Sequence, residues 1–150
     1  MHRYKRALET WEEGGERFPE FPASPVTHAG LLYSAGFGAA AEAILRTLLE
    51  ERPDDAKLRT QVGDLRLESG DREAARELYD QALAIDPKLS YALHQRAALA
   101  ELEGDPGQAA SLYLRVIAGT SASSPLAIRA ASRLRAMGMA VDFGVRAVKE

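Results

Sequence analysis

The sequence has no cysteine. That excludes disulfides, thiol catalysis and lipid attachment through cysteine, and leaves the compartment open. No apolar run approaches the roughly 18 residues of a membrane span, and the start Met1-His2-Arg3-Tyr4 carries no signal-peptide core. Neither sign of charge dominates: 19 Lys and Arg stand against 22 Asp and Glu, a formal net charge of −3. Such mild acidity gives no footprint for nucleic acid or for an anionic membrane, so neither is expected as a partner. Only three histidines are present, and His28 falls on a core-facing helical position, where a structural role is expected. What remains is a chain of 150 residues, 46% hydrophobic, long enough to bury a real core.

The informative feature is a period. Gly36, Gly70, Gly104 and Gly138 lie 34 residues apart, and self-similarity at a fixed period is the signature of a repeat array. Other positions keep the register. Five residues after each glycine come Ala41, Ala75, Ala109 and then Phe143, and seventeen after come Pro53, Pro87 and Ser121. Counting backward gives Ala7 and Pro19. With the glycine at position 15, repeats span residues 22–55, 56–89 and 90–123, preceded by a half repeat at 1–21 and followed by a degenerate one at 124–150. Each repeat reads as helix A, a glycine turn, helix B and a short exit.

Along the chain, residues 3–13 read as an orphan helix B with Ala7 and Trp11 on its inner face, stopped by Gly14-Gly15. A start in mid-repeat reads either as a segment of a longer array or as a half repeat acting as a cap. Ser24-Pro25 and Ser124-Pro125 each place a capping residue before a proline at the first helical position. Asp54 or Asp55, Asp71 and Asp105 are the caps of the intervening helices. Helix A of the second repeat carries Leu58, Val62 and Leu65 inward, and its helix B carries Ala75, Leu78, Tyr79 and Ala82 as one stripe. Gly119 to Ser123 is the longest polar loop. The segment from Met139 to Glu150 reads as a weak closing helix or a docked tail.

At this point the pattern resembles the tetratricopeptide repeat. That family favours a large apolar residue at position 7, Gly or Ala at 8, Ala at 20, an aromatic at 24, Ala at 27 and Pro at 32. The second repeat supplies Val62, Gly63, Ala75, Tyr79, Ala82 and Pro87. The first supplies His28, Ala29, Ala41, Leu45, Leu48 and Pro53, and the third Arg96, Ala97, Ala109, Tyr113, Val116 and Ser121. The resemblance covers nearly the whole chain and implies a single all-α domain, an alpha-alpha superhelix or solenoid of helix-turn-helix repeats. Repeats of the RNA-reading kind fit the 34-residue spacing and the acidic balance less well.

On helix A, positions 2, 5, 9 and 12 lie opposite the core-facing positions 4, 7, 8 and 11. The resemblance implies that they line a concave groove where such proteins bind extended peptides or helices. The groove residues expected here are Val26, Tyr33, Lys57, Thr60, Asp64, Leu67, Tyr91, His94, Glu101, Ile128 and Arg135. Charge among them is sparse and balanced, which suits a neutral or apolar peptide or an amphipathic helix. A subset of the family clamps chaperone carboxylates with Lys, Asn and Arg, but the matching positions hold Val26, Gly30, Gln61, Tyr91 and Gln95, so that clamp is absent.

No catalytic constellation, cofactor motif or metal set stands out. His94 and Glu101 share a face without a third ligand, and Gly36-Phe37-Gly38 has neither a preceding strand nor a following Lys-Ser/Thr. Arg129 and Arg133 form a basic strip, either a solvated face or a docking point for an acidic segment. The expected function is a non-catalytic protein-interaction scaffold that uses no cofactor. The alternative is a self-assembly element that forms a homo-oligomer by stacking through its terminal helices. The alanine at position 20 marks the closest approach of helix B to helix A. Ala75→Leu is therefore expected to lower stability by about 1–3 kcal/mol through overpacking, and an unchanged denaturant midpoint would count against that placement.

Overall fold

The recurrent glycines Gly36, Gly70, Gly104 and Gly138 have φ of 83°, 89°, 78° and 78°, a left-handed backbone that a Cβ disfavours. In the computed structural model, which describes residues 24–140, all four turns are closed by the same hydrogen bond. The N–H after each glycine donates to the carbonyl five residues back: Phe37 to Leu32 at 2.8 Å, and Asp71 to Arg66, Asp105 to Ala100 and Met139 to Leu134 at 2.9 Å. This closure occupies carbonyls that a helix end otherwise leaves open.

The described residues form seven helices and no strand: α1 Pro25–Ser34, α2 Gly38–Glu51, α3 Ala56–Glu68, α4 Arg72–Ile85, α5 Ser90–Leu102, α6 Pro106–Gly119 and α7 Pro125–Ala136. The all-α fold of paired helices is as the period predicts. Asp55, Asp71 and Asp105 each accept from the backbone N–H three residues on, at 2.9, 3.1 and 2.9 Å, satisfying one of the open donors of α3, α4 and α6. Ser24 and Ser124 occupy the cap positions of α1 and α7 without a side-chain cap bond. There the proline at the first helical position supplies a preset φ.

The chain divides into two compact units, Met1–Pro53 and Asp54–Glu150. In the first, α1 and α2 pack together with Ala29, Leu32, Ala41, Leu45 and Leu48 buried, and His28 is buried as its core-facing position implies. In the second, α3 pairs with α4, α5 with α6, and α7 packs on α6. The A helices α3, α5 and α7 also touch in series, whereas the B helices α4 and α6 do not. Rows that approach more closely lie on the inside of a bend, so within this unit the A helices form the concave side. The predicted orphan helix at 3–13, the connector at 18–22 and the segment 141–150 with Phe143 and Gly144 lie outside the described residues. Met139 and Ala140 are described, and neither is helical.

The interface inside each pair is built from small residues. Ala41, Ala75 and Ala109, all at position 20, are fully buried. In α5 the four core-facing positions Leu93, Arg96, Ala97 and Ala100 are buried, as are Ala127, Ala130, Ala131 and Leu134 in α7. Arg96 sits where an apolar residue was expected. It is tolerated because its guanidinium reaches Asp80 at 3.0 Å and Glu103 at 3.5 Å, and a buried charge needs such partners.

Gly63 of α3 lies directly against the ring of Tyr79 on α4. A Cβ built at Gly63 would lie 2.6 Å from Tyr79 Cε1 and 2.9 Å from Cδ1. The ring is fully buried and cannot swing aside. Gly63→Ala would gain up to ~1 kcal/mol of helix propensity and lose about 1–3 kcal/mol to overpacking. A net fall in stability is expected in a urea melt; a more stable variant would mean that the ring yields freely.

Candidate functional site

The concave face of the second unit is organised by one carboxylate. Asp64, on α3, accepts from the Tyr79 hydroxyl and from the Gln95 amide through Oδ1, each at 2.7 Å, and from the Tyr91 hydroxyl through Oδ2 at 2.7 Å. These donors come from α4 and α5, so one side chain ties three helices. Burial, and then the bond to Asp64, pushes the Tyr91 phenol up to about 12 and that of Tyr79 further. Both hydroxyls stay protonated at neutral pH and remain donors.

Next along α5 is His94. Because the Gln95 amide nitrogen donates to Asp64, its oxygen is left to face His94 Nδ1 at 3.4 Å, which assigns the ring proton to Nδ1. The ring stands edge-on to Tyr113, centroids 5.5 Å apart. Its Nε2 is buried and has no hydrogen-bond partner among the described residues. Burial lowers the His94 pKa below 6.5, and Arg129 and Arg133 add to the shift against the opposing pull of Gln95 and Glu101. At pH 7 the ring is neutral.

Glu101, the penultimate residue of α5, is gripped by Arg133 of α7. Nε donates to Oε1 at 3.0 Å and Nη2 to Oε2, the two-pronged geometry that suits guanidinium and carboxylate. Arg133 holds the Glu101 carboxyl below its ordinary range, against burial, with Tyr113 assisting. The Tyr113 phenol is pushed up by burial and by Glu101.

Between α5 and α7 these side chains surround an open cleft of about 440 Å³. His94, Ala98 and Tyr113 line it from one side, Ile128, Arg129 and Ser132 from the other, and Leu102 and the Glu101–Arg133 pair also border it. Leu102 is 56% exposed and Ile128 52%. Arg129 is exposed, with no carboxylate within ion-pair distance among the described residues.

Of the residues expected on the groove, Tyr91, His94, Glu101 and Ile128 are on α5 and α7, and His94, Glu101 and Ile128 meet in this cleft. Tyr91 is 43% exposed with its hydroxyl held by Asp64. Lys57 and Arg135 are exposed. Leu67 is partly buried against the cluster of Ala75, Tyr79 and Leu99, so it serves the core in part. In the first unit Val26 and Tyr33 are half-buried, and the Tyr33 ring lies against Gly38. Thr60 is a correction: it is fully buried, and its hydroxyl donates to the Ala56 carbonyl at 2.8 Å. That internal bond lets a polar side chain sit inside, and it leaves nothing to offer a partner.

Leu102, Arg129 and Arg133 also border the cleft, and none of them is among the groove residues expected from the sequence. They fall at positions 13, 6 and 10, beside the stripe at 2, 5, 9 and 12. A helical face is wider than one stripe, and the strip of Arg129 and Arg133 was the available signal.

No family model matches the sequence, and none of the curated proteins does. Solved structures do. The type III secretion translocator chaperone SycD of Yersinia enterocolitica superposes with a TM-score of 0.63 at 20% identity, over 76% of this chain and 81% of that one. PcrH, solved in complex with the chaperone-binding region of PopD, gives 0.60 at 23% identity, over 89% and 92%. At such identities the likeness is one of fold: the chain has an all-helical fold of tetratricopeptide-like kind.

The half-buried, neutral His94 predicts a pH effect. Its folded-state pKa is lowered, so below about 6.5 the unfolded chain binds more protons than the folded one. Its contribution to stability is complete above that value and is lost as pH falls toward the folded pKa. Glu101, also lowered, contributes above about 4.5 and loses that contribution at lower pH. Urea midpoints taken between about pH 7.5 and 5 should fall, and His94→Gln should flatten that fall. An unchanged slope in the variant would show that His94 is not the group responsible.

Proposed function

We propose that this protein is a non-catalytic scaffold that holds an extended or helical segment of a partner protein against the concave face formed by α3, α5 and α7 of the second unit. The observation that carries this reading is the cleft between α5 and α7, where Leu102 and Ile128 stand exposed beside a neutral imidazole. Apolar side chains gathered on an inner face are what a partner's anchor residues require. The carboxylates of this face are committed to protein partners: Asp64 accepts three hydrogen bonds, and both Glu101 oxygens are taken by Arg133. Carboxylates bound in this way position side chains rather than stand free for acid–base chemistry. That PcrH, of similar fold, was solved with a segment of PopD favours the same use of the fold here.

The test is selection of a random 12-residue peptide library, displayed on phage, against the full chain and against Leu102→Asp/Ile128→Asp. Both residues are exposed, so the double variant should keep its fold by circular dichroism. Peptides rich in apolar residues should be enriched on the wild type at least tenfold over the variant. No enrichment, or equal enrichment on both, would overturn the reading. Light scattering that detects a dimer abolished by the same variant would favour self-association through this face instead.

A further inference from the structure

Resting on the scaffold reading, we infer that the cleft between α5 and α7 is a subsite for a partner segment in which an apolar side chain is followed or preceded, within two residues, by a carboxylate. The apolar half of the specificity comes from the walls. Ala98, Leu102 and Ile128 offer hydrocarbon, and the ring of His94 is uncharged and packed edge-on against Tyr113. The open volume of about 440 Å³ has room for a side chain with its flanking backbone.

The acidic half comes from an imbalance of charge at the rim. Among the described residues, three ionised groups border the cleft: Glu101, Arg129 and Arg133. Glu101 and Arg133 neutralise each other through two hydrogen bonds. Arg129 is therefore left as the uncompensated charge, exposed at the mouth beside Ile128. The two arginines are not equivalent, although their spacing in the sequence makes them look so. Arg133 is a structural partner of α5, and Arg129 is the one available to a ligand. A guanidinium at an apolar edge recognises a carboxylate better than any neutral group, through its paired N–H donors. It also disfavours a basic residue at the same place.

The experiment uses peptides recovered from the library on the full chain, synthesised with a fluorophore and titrated by anisotropy. Recovered sequences should carry Asp or Glu within two residues of the apolar anchor. Arg129→Ala should weaken binding about two- to fivefold, the range of a partly exposed ion pair. Arg129→Glu should weaken it further, and a peptide with its acid changed to Lys should recover affinity on Arg129→Glu alone. Lys88→Glu, an exposed reversal outside the cleft, should change little.

Peptides that lose binding on Leu102→Asp/Ile128→Asp yet ignore Arg129→Glu would overturn the acidic subsite and leave the scaffold reading standing. Failure of any peptide to bind would remove both. A full-chain Asp142→Asn/Phe143→Ser variant that binds the same peptide tenfold more tightly would assign the cleft to the chain's own tail and overturn the partner assignment.

Discussion

Helix pairs in this protein approach one another as closely as the absence of side-chain bulk permits. Ala41, Ala75 and Ala109 are fully buried, and at Gly63 even a methyl group would collide with the Tyr79 ring. Interiors are packed like crystals, so small residues at the crossing set how near two helix axes come. Once that spacing is set, the large residues of the neighbouring positions have defined places to fill. Tyr79 runs over Gly63 to reach Asp64. Tyr113, whose repeat carries Ala97 where the previous one carries Gly63, stands against His94 instead. The same position thus supports two different polar arrangements, and the acceptor differs as well: Asp64 has Ala98 as its counterpart in the next repeat.

The parts of the fold that could be read from the sequence are those enforced by local stereochemistry. A left-handed turn needs glycine, so four such turns left four glycines at one interval, and the structure has every one of them in that conformation. Aspartate caps and prolines at first helical positions left comparable marks. Burial of the core-facing positions followed from helical geometry, and it held in α5 and α7 without exception.

The candidate site was legible only in part, because side-chain pairing is not a property of spacing. Nothing in the period says that Asp64 will accept three donors, or that Thr60 will bond its own helix and disappear inside. The Arg129 and Arg133 strip was visible, but its division into a paired and an unpaired cation depends on Glu101 lying 32 residues away. Contacts of that kind arise from the packing of α5 on α7 and become visible only there. Leu102 escaped because the cleft takes in a broad helical face, whereas the repeat pattern picks out a narrow stripe.

The threefold use of Asp64 has a mechanical meaning. Its three donors come from α4 and α5 while the acceptor belongs to α3. Sliding or tilting any of these helices relative to the others would stretch charge-assisted bonds in a partly dry setting, where they are strongest. Bending stiffness in this stretch of the array is therefore concentrated at a single anionic rivet. Farther along, Arg133 of α7 and Tyr113 of α6 converge on Glu101 of α5, so a second carboxylate ties three helices beside the cleft.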